Sequence, residues 1–190
     1  MRAEYRRKLR ERLASTAIGP STIRGLAPEG TIGRAREFLE RVPLEQLANL
    51  DAAAFTKRLD ELTTQYCGEV RALPWGAARK FLNIFLRDCL YNRWISEDFR
   101  LPTVAPFLEV PLDFDVVDEL KHRAGRGKLP PWPRIKNLEL TESAKFQEYA
   151  TRVARDEGVN RVDLDIVFWR GPRALARKEK QAKRAKKPRP

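Results

Sequence analysis

The chain has 190 residues, 42% of them hydrophobic, with a formal net charge of +12 and an isoelectric point near 10.1. That apolar share is enough for one sizeable core and excludes a disordered chain, while the charge points to a polyanionic partner, nucleic acid before membrane. Two cysteines inside helical patterns (Cys67, Cys89) and a single histidine (His122) argue against a secreted disulfide scaffold and against a zinc site.

In chain order, residues 2–14 predict a short, highly charged surface helix with a thin stripe of Tyr5, Leu9 and Leu13. Its amino end lacks the apolar stretch of a signal peptide, and no apolar run approaches a membrane span, so a cytoplasmic, nucleoid-associated protein is expected. Gly19-Pro20 and Pro28-Glu29-Gly30 make the lead-in irregular up to residue 30. A helix follows from Thr31 to Arg41 with Ile32, Ala35, Phe38 and Leu39 inward, stopped by Pro43. Asp51 stands as the N-cap of a third helix, Ala52 to Cys67, whose Phe55, Leu59, Leu62 and Tyr66 keep helical spacing.

The longest apolar helix starts after Leu73-Pro74-Trp75-Gly76 and runs through Cys89, with no proline or glycine to break it before Pro102. Ala78, Leu82, Phe85 and Cys89 fall on one stripe, whereas Lys80, Asn83 and Arg87 fall on another, which predicts one core face and one polar face. Asp113 occupies an N-cap position before Val116, Val117 and Leu120, in a helix that ends near Gly125. Residues 125–133, Gly-Arg-Gly-Lys-Leu-Pro-Pro-Trp-Pro, predict a stiff basic loop, and Thr141 to Glu157 predicts another helix closed by Gly158. Residues 162–169 alternate like a strand, but with no second strand to pair with they are read as a short helix or an extended segment on the bundle. From Gly171 onward nine Lys or Arg face Glu179 alone, so eight of the twelve net charges lie in a tail expected to be disordered. The expected fold class is therefore all-α: residues 1–30 a lead-in, 31–170 a compact helical bundle with a cleft, and 171–190 a basic tail.

The pattern Gly76-Ala77-Ala78-Arg79-Lys80-Phe81-Leu82-Asn83, followed by Pro111-Leu112-Asp113 at the start of another helix, resembles the helix-hairpin-helix DNA glycosylase superfamily. More narrowly, the 33-residue step from Lys80 to Asp113 is similar to the divergent branch that holds the archaeal 8-oxoguanine DNA glycosylases. Trp75 and Ala77 stand where commoner members carry hairpin glycines. The resemblance implies a DNA glycosylase that flips a modified base out of duplex DNA and cleaves its N-glycosidic bond, in repair or in antiviral defence, as a monomer without metal or cofactor.

In that chemistry positive charge develops on the sugar, and a carboxylate beneath it stabilises the cation or activates water, the role expected of Asp113. A lysine amine that adds to the sugar carbon gives a Schiff base and permits strand cleavage, the role expected of Lys80. Trp75, Trp132 and Trp169 are candidates to stack on an extruded base. Gly76, Arg79, Asn83, Arg87 and Lys128 are candidates to contact DNA. Against these stand plainer roles: Asp113 as a helix cap, Lys80 as a surface charge, the tryptophans as core. Two other functional classes fit the same composition, a non-enzymatic nucleic-acid-binding protein (nucleoid or ribosome-associated) and a helical transcriptional regulator.

Overall fold

The computed structural model describes residues 2–19, 23, 25–28, 30–173, 175 and 177, and among these the chain is helical with no strand. The elements in order are α1 (Ala3–Ala17), α2 (Thr31–Glu40), α3 (Leu44–Leu47), α4 (Ala52–Glu69), α5 (Trp75–Tyr91) and α6 (Arg93–Asp98). They are followed by a 3-10 segment (Leu101–Phe107), α7 (Phe114–Ala124), a 3-10 turn (Ile135–Asn137), α8 (Leu140–Glu157), a second turn (Arg161–Asp163) and α9 (Leu164–Phe168). The strand-like alternation of 162–169 is thus a turn and a short helix, begun by a reciprocal cap in which the Asn160 backbone N–H donates to Asp163. Asp51 caps α4 by accepting from the Ala54 N–H at 2.8 Å. The long apolar stretch after Pro74 is interrupted at Asn92, whose side chain accepts from the Ile95 N–H and starts α6. Asn92 is a good cap, and that is enough to end one helix and begin the next.

The buried apolar side chains form two cores rather than the single one expected from composition. The first takes in α1 to α6, with Phe38, Phe55, Leu59, Tyr66, Phe81 and Phe85 at its centre. Phe38 stacks on Tyr66 with ring centroids 4.2 Å apart, and the Tyr66 hydroxyl donates to the Ala35 carbonyl at 2.8 Å. The second is smaller and collects Val110 and Leu112 from the segment before α7 with Val116, Val117, Leu120, Phe146 and Leu164 from α7, α8 and α9. The expectation of a surface helix at the amino terminus is corrected as well. Ala14, Ala17 and Ile18 are buried in the first core, with Leu9 and Leu13 packed against it, because the helix runs a turn beyond residue 14 and brings three apolar residues down with it.

Helix α5 divides the two cores, and for that reason its polar stripe is not a solvent face. Arg79 and Asn83 are buried together with the apolar stripe of Ala78, Leu82, Phe85 and Cys89. Gly76, near its start, passes so close to the 3-10 turn that an added Cβ would stand 2.3 Å from the Ile135 carbonyl oxygen and 2.7 Å from Leu138 Cβ. Only a residue without a side chain permits that approach. The expected disorder of the tail falls mainly on residues 178–190, outside the described residues. Its root is ordered: Pro172, Arg173, Leu175 and Arg177 are helical, and Arg173 pairs with Asp118 on α7 at 3.1 Å.

Candidate active site between the two cores

The segment 109–113 crosses from one core to the other, and its backbone is fastened at several points. Glu109 is buried and receives both a 2.8 Å bond from Arg79 Nε and a 2.9 Å bond from Arg79 Nη2, with a third from Asn83 Nδ2 at 3.1 Å. The remaining Arg79 nitrogen reaches Asp60 at 2.8 Å and Thr63 Oγ1 at 3.0 Å. Burial alone would raise the Glu109 carboxyl, but the Arg79 guanidinium outweighs it and holds the group below its ordinary value. One residue on, the Val110 N–H donates to Gln147 Oε1 at 3.2 Å and Gln147 Nε2 donates to the Val110 carbonyl at 2.8 Å. Arg161 secures the preceding turn by donating to the Phe107 and Leu108 carbonyls. The strap is therefore clamped by α5 on one side and α8 on the other, and it delivers Asp113 to a fixed position.

There Asp113 divides its two oxygens. Oδ1 accepts the Val116 N–H at 3.0 Å and caps α7, while Oδ2 lies 3.3 Å from Lys80 Nζ. The pair stands at the wall of a cleft of about 620 Å³ lined also by Phe114, Asp115, Trp132, Arg134, Ile135 and Arg177. Its side chains keep partial access to solvent, 19% for Lys80 and 35% for Asp113. The volume is of the size that small ligands and cofactors occupy in proteins. Trp132 is held edge-on against Phe146, ring centroids 5.7 Å apart, so its indole is fixed at the cleft wall.

The other expected site residues lie elsewhere. Arg79 and Asn83 belong to the buried cluster around Glu109 and offer nothing to a ligand. Gly76 is buried beneath the Ile135–Asn137 turn, so the start of α5 is closed to a phosphate in this conformation. Trp75 packs on the second core with Arg79 stacked 5.4 Å from its ring centroid. Arg87 is spent on Asp88, at 2.9 and 2.7 Å, and on Asp165. Lys128 is exposed on the loop and Trp169 is 66% exposed under the Arg170 guanidinium, neither of them lining the cleft. Of ten expected positions, the cleft unites Lys80, Asp113 and Trp132.

Sequence reasoning missed Phe114, Asp115, Arg134 and Arg177 in the cleft and Glu109, Gln147 and Arg161 behind it. Phe114 and Asp115 are the two residues after the cap, where the first turn of α7 projects past its carboxylate. Arg177 pairs with Asp115 and covers the Phe114 ring at 4.5 Å, a contact that no local pattern announces across more than sixty residues. Among the described residues no cluster of three or more His, Cys, Asp or Glu side chains is placed to hold a metal ion, and no helix is long and apolar enough to cross a membrane. Compared with known proteins, the chain matches no family model, no curated protein and no solved structure.

Proposed function

We propose that the protein is a DNA N-glycosylase of the helix-hairpin-helix type, acting on a modified base extruded from the duplex into the cleft between the two cores. The observation that carries this reading is the 3.3 Å approach of Lys80 Nζ to Asp113 Oδ2, two groups 33 residues apart brought to one accessible wall beside an aromatic ring. As the C1′–N bond breaks, the electron pair leaves with the base, which takes up a proton, and positive charge grows on C1′ and the ring oxygen. The Asp113 carboxylate opposes that charge. Lys80, having passed a proton to water or to the departing base, adds its free pair to C1′. Opening of the sugar ring then gives the Schiff base, from which the 3′ phosphate can be eliminated. Trp132 supplies a face or edge on which the extruded base rests. The net charge of +12 supports a DNA partner, and with it action on the nucleoid in the cytoplasm is part of this reading.

A purely binding role is favoured by one observation, that Asp113 already has a structural use as the cap of α7. Incubation with a panel of duplexes carrying oxidised, alkylated and glycosylated bases separates the two. The glycosylase reading expects free base and an abasic site from at least one member of the panel. No release from any of them, with DNA affinity retained by Lys80→Gln and Asp113→Asn, would leave a nucleic-acid-binding protein.

A further inference from the structure

The loop between α7 and α8 carries an arginine in a backbone conformation that side chains avoid. Arg134 has φ 68° and ψ 155°, a basin populated almost only by glycine. The same loop shows what the basin ordinarily takes, since Gly125 adopts φ 86° and ψ 168° at its start. Arg100, by contrast, is also left-handed, but at φ 52° and ψ 35°, the common left-handed turn that other residues visit. A glycine at 134 would relieve the backbone at no cost in hydrogen bonds or ion pairs to the described residues, among which the Arg134 side chain makes neither. The cleft carboxylates are otherwise engaged, Asp113 with Lys80 and Asp115 with Arg177.

What holds residue 134 in this basin lies on both sides of it. Trp132 is fixed edge-on by Phe146, and Ile135 and Leu138 are pressed against Gly76 at the start of α5. Residue 134 thus lies between two packed points, and its guanidinium stands exposed on the cleft wall that also carries Lys80 and Asp113. A guanidinium without a partner among the described residues presents a planar fork of donors matched to two oxygens of a phosphate.

We infer that Arg134 is an anion clamp of the cleft that grips a DNA phosphodiester beside the nucleotide held at Lys80 and Asp113. The identity of that nucleotide rests on the glycosylase reading above; the anion site rests on the loop geometry and on the guanidinium exposed at the cleft wall. Replacement of Arg134 by glycine therefore eases the fold while it weakens binding, which a structural arginine would not show.

The test compares the parent with Arg134→Ala, which keeps the backbone conformation unfavourable and removes the guanidinium, and with Arg134→Gly, which removes both. Binding is measured by fluorescence anisotropy on a duplex carrying one tetrahydrofuran abasic analogue, across a salt series, with base release from the panel scored alongside. Arg134→Gly is expected to melt about 2–4 °C above Arg134→Ala. Both are expected to bind the duplex about tenfold more weakly than the parent, with the salt dependence reduced by about one phosphate contact. Unchanged affinity and salt slope in both variants would overturn the clamp whatever the chemistry of the cleft. If the variants lose affinity as expected but the parent releases no base from any duplex, the clamp stands and the glycosylase reading falls.

Discussion

Two ion pairs join α5 to the strap that follows Leu108, adjacent in sequence on the helix and a short length of strap apart at the other end: Arg79 with Glu109, and Lys80 with Asp113. The first is sealed. Its guanidinium has two carboxylate partners and a hydroxyl, and Glu109 has a second donor in Asn83, so nearly every polar atom is matched inside the protein. The second is left open, with a single 3.3 Å contact and both side chains partly in solvent. Arginine suits the sealed position, where a planar fork meets a carboxylate in two places, and lysine suits the open one, where a compact amine keeps freedom to move. The difference teaches how one helix turn serves two ends: the buried pair fixes the geometry, and its neighbour keeps its groups available to a ligand.

The comparison breaks most visibly at Glu109. Glu109→Ala leaves Arg79 buried with Asp60 as its one remaining carboxylate partner among the described residues, and loss of one partner of such a pair costs about 3–5 kcal/mol of stability, to be read from urea unfolding. The same pair sets an acid limit. Because the folded Glu109 carboxyl lies below its ordinary value of 4.5, its contribution is present above that pH and is lost as the pH falls through the lowered value. Urea midpoints should therefore drop below pH 4.5 in the parent, and drop less steeply in Glu109→Gln. A parent whose midpoint is flat through this range would show that the pair does not hold the strap.

The next effect in size is at Gly76. Adding a methyl group in Gly76→Ala forces back the Ile135 carbonyl and Leu138, at a cost of about 1–3 kcal/mol. The displaced turn is continuous with Trp132 and Arg134, so ligand affinity should fall along with stability, whereas Glu109→Gln should act on the Asp113 side of the cleft. Full affinity in Gly76→Ala, measured on the abasic duplex, would uncouple the loop from the site. The smallest effect on the fold is expected at the open pair. Asparagine caps a helix about as well as aspartate, so Asp113→Asn should stay within about 0.5 kcal/mol of the parent in urea, yet release base at least a hundredfold more slowly.

Much of this was legible in the chain. Asp51 and Asp113 announced their caps by standing just before periodic apolar runs, and the stripe of Ala78, Leu82, Phe85 and Cys89 announced a buried face. The neighbouring stripe misled at Asn83 because a polar residue is normally solvated, and its burial here, like that of Arg79 beside it, goes with Glu109, which lies 26 residues beyond Asn83 and 30 beyond Arg79. Such pairing has no periodicity to reveal it. Arg87 misled in the same way, since Asp165 is 78 residues distant. At Gly76 the missing side chain serves the close approach of Ile135 and Leu138, a contact made only once the loop has folded back and so without a local signal. The second core was invisible because α7, α8 and α9 have ordinary helical patterns, and nothing local tells whether their apolar faces join the first core or one another.

The central claim is that the open pair does chemistry which the sealed pair only positions. Borohydride reduction of the parent mixed with a duplex whose base it releases, followed by peptide mass mapping, tests this most directly. The account predicts a covalent DNA adduct on Lys80, absent from Lys80→Gln although that variant still folds and binds the duplex. An adduct on another lysine, or its persistence in Lys80→Gln at the level of the parent, would contradict it.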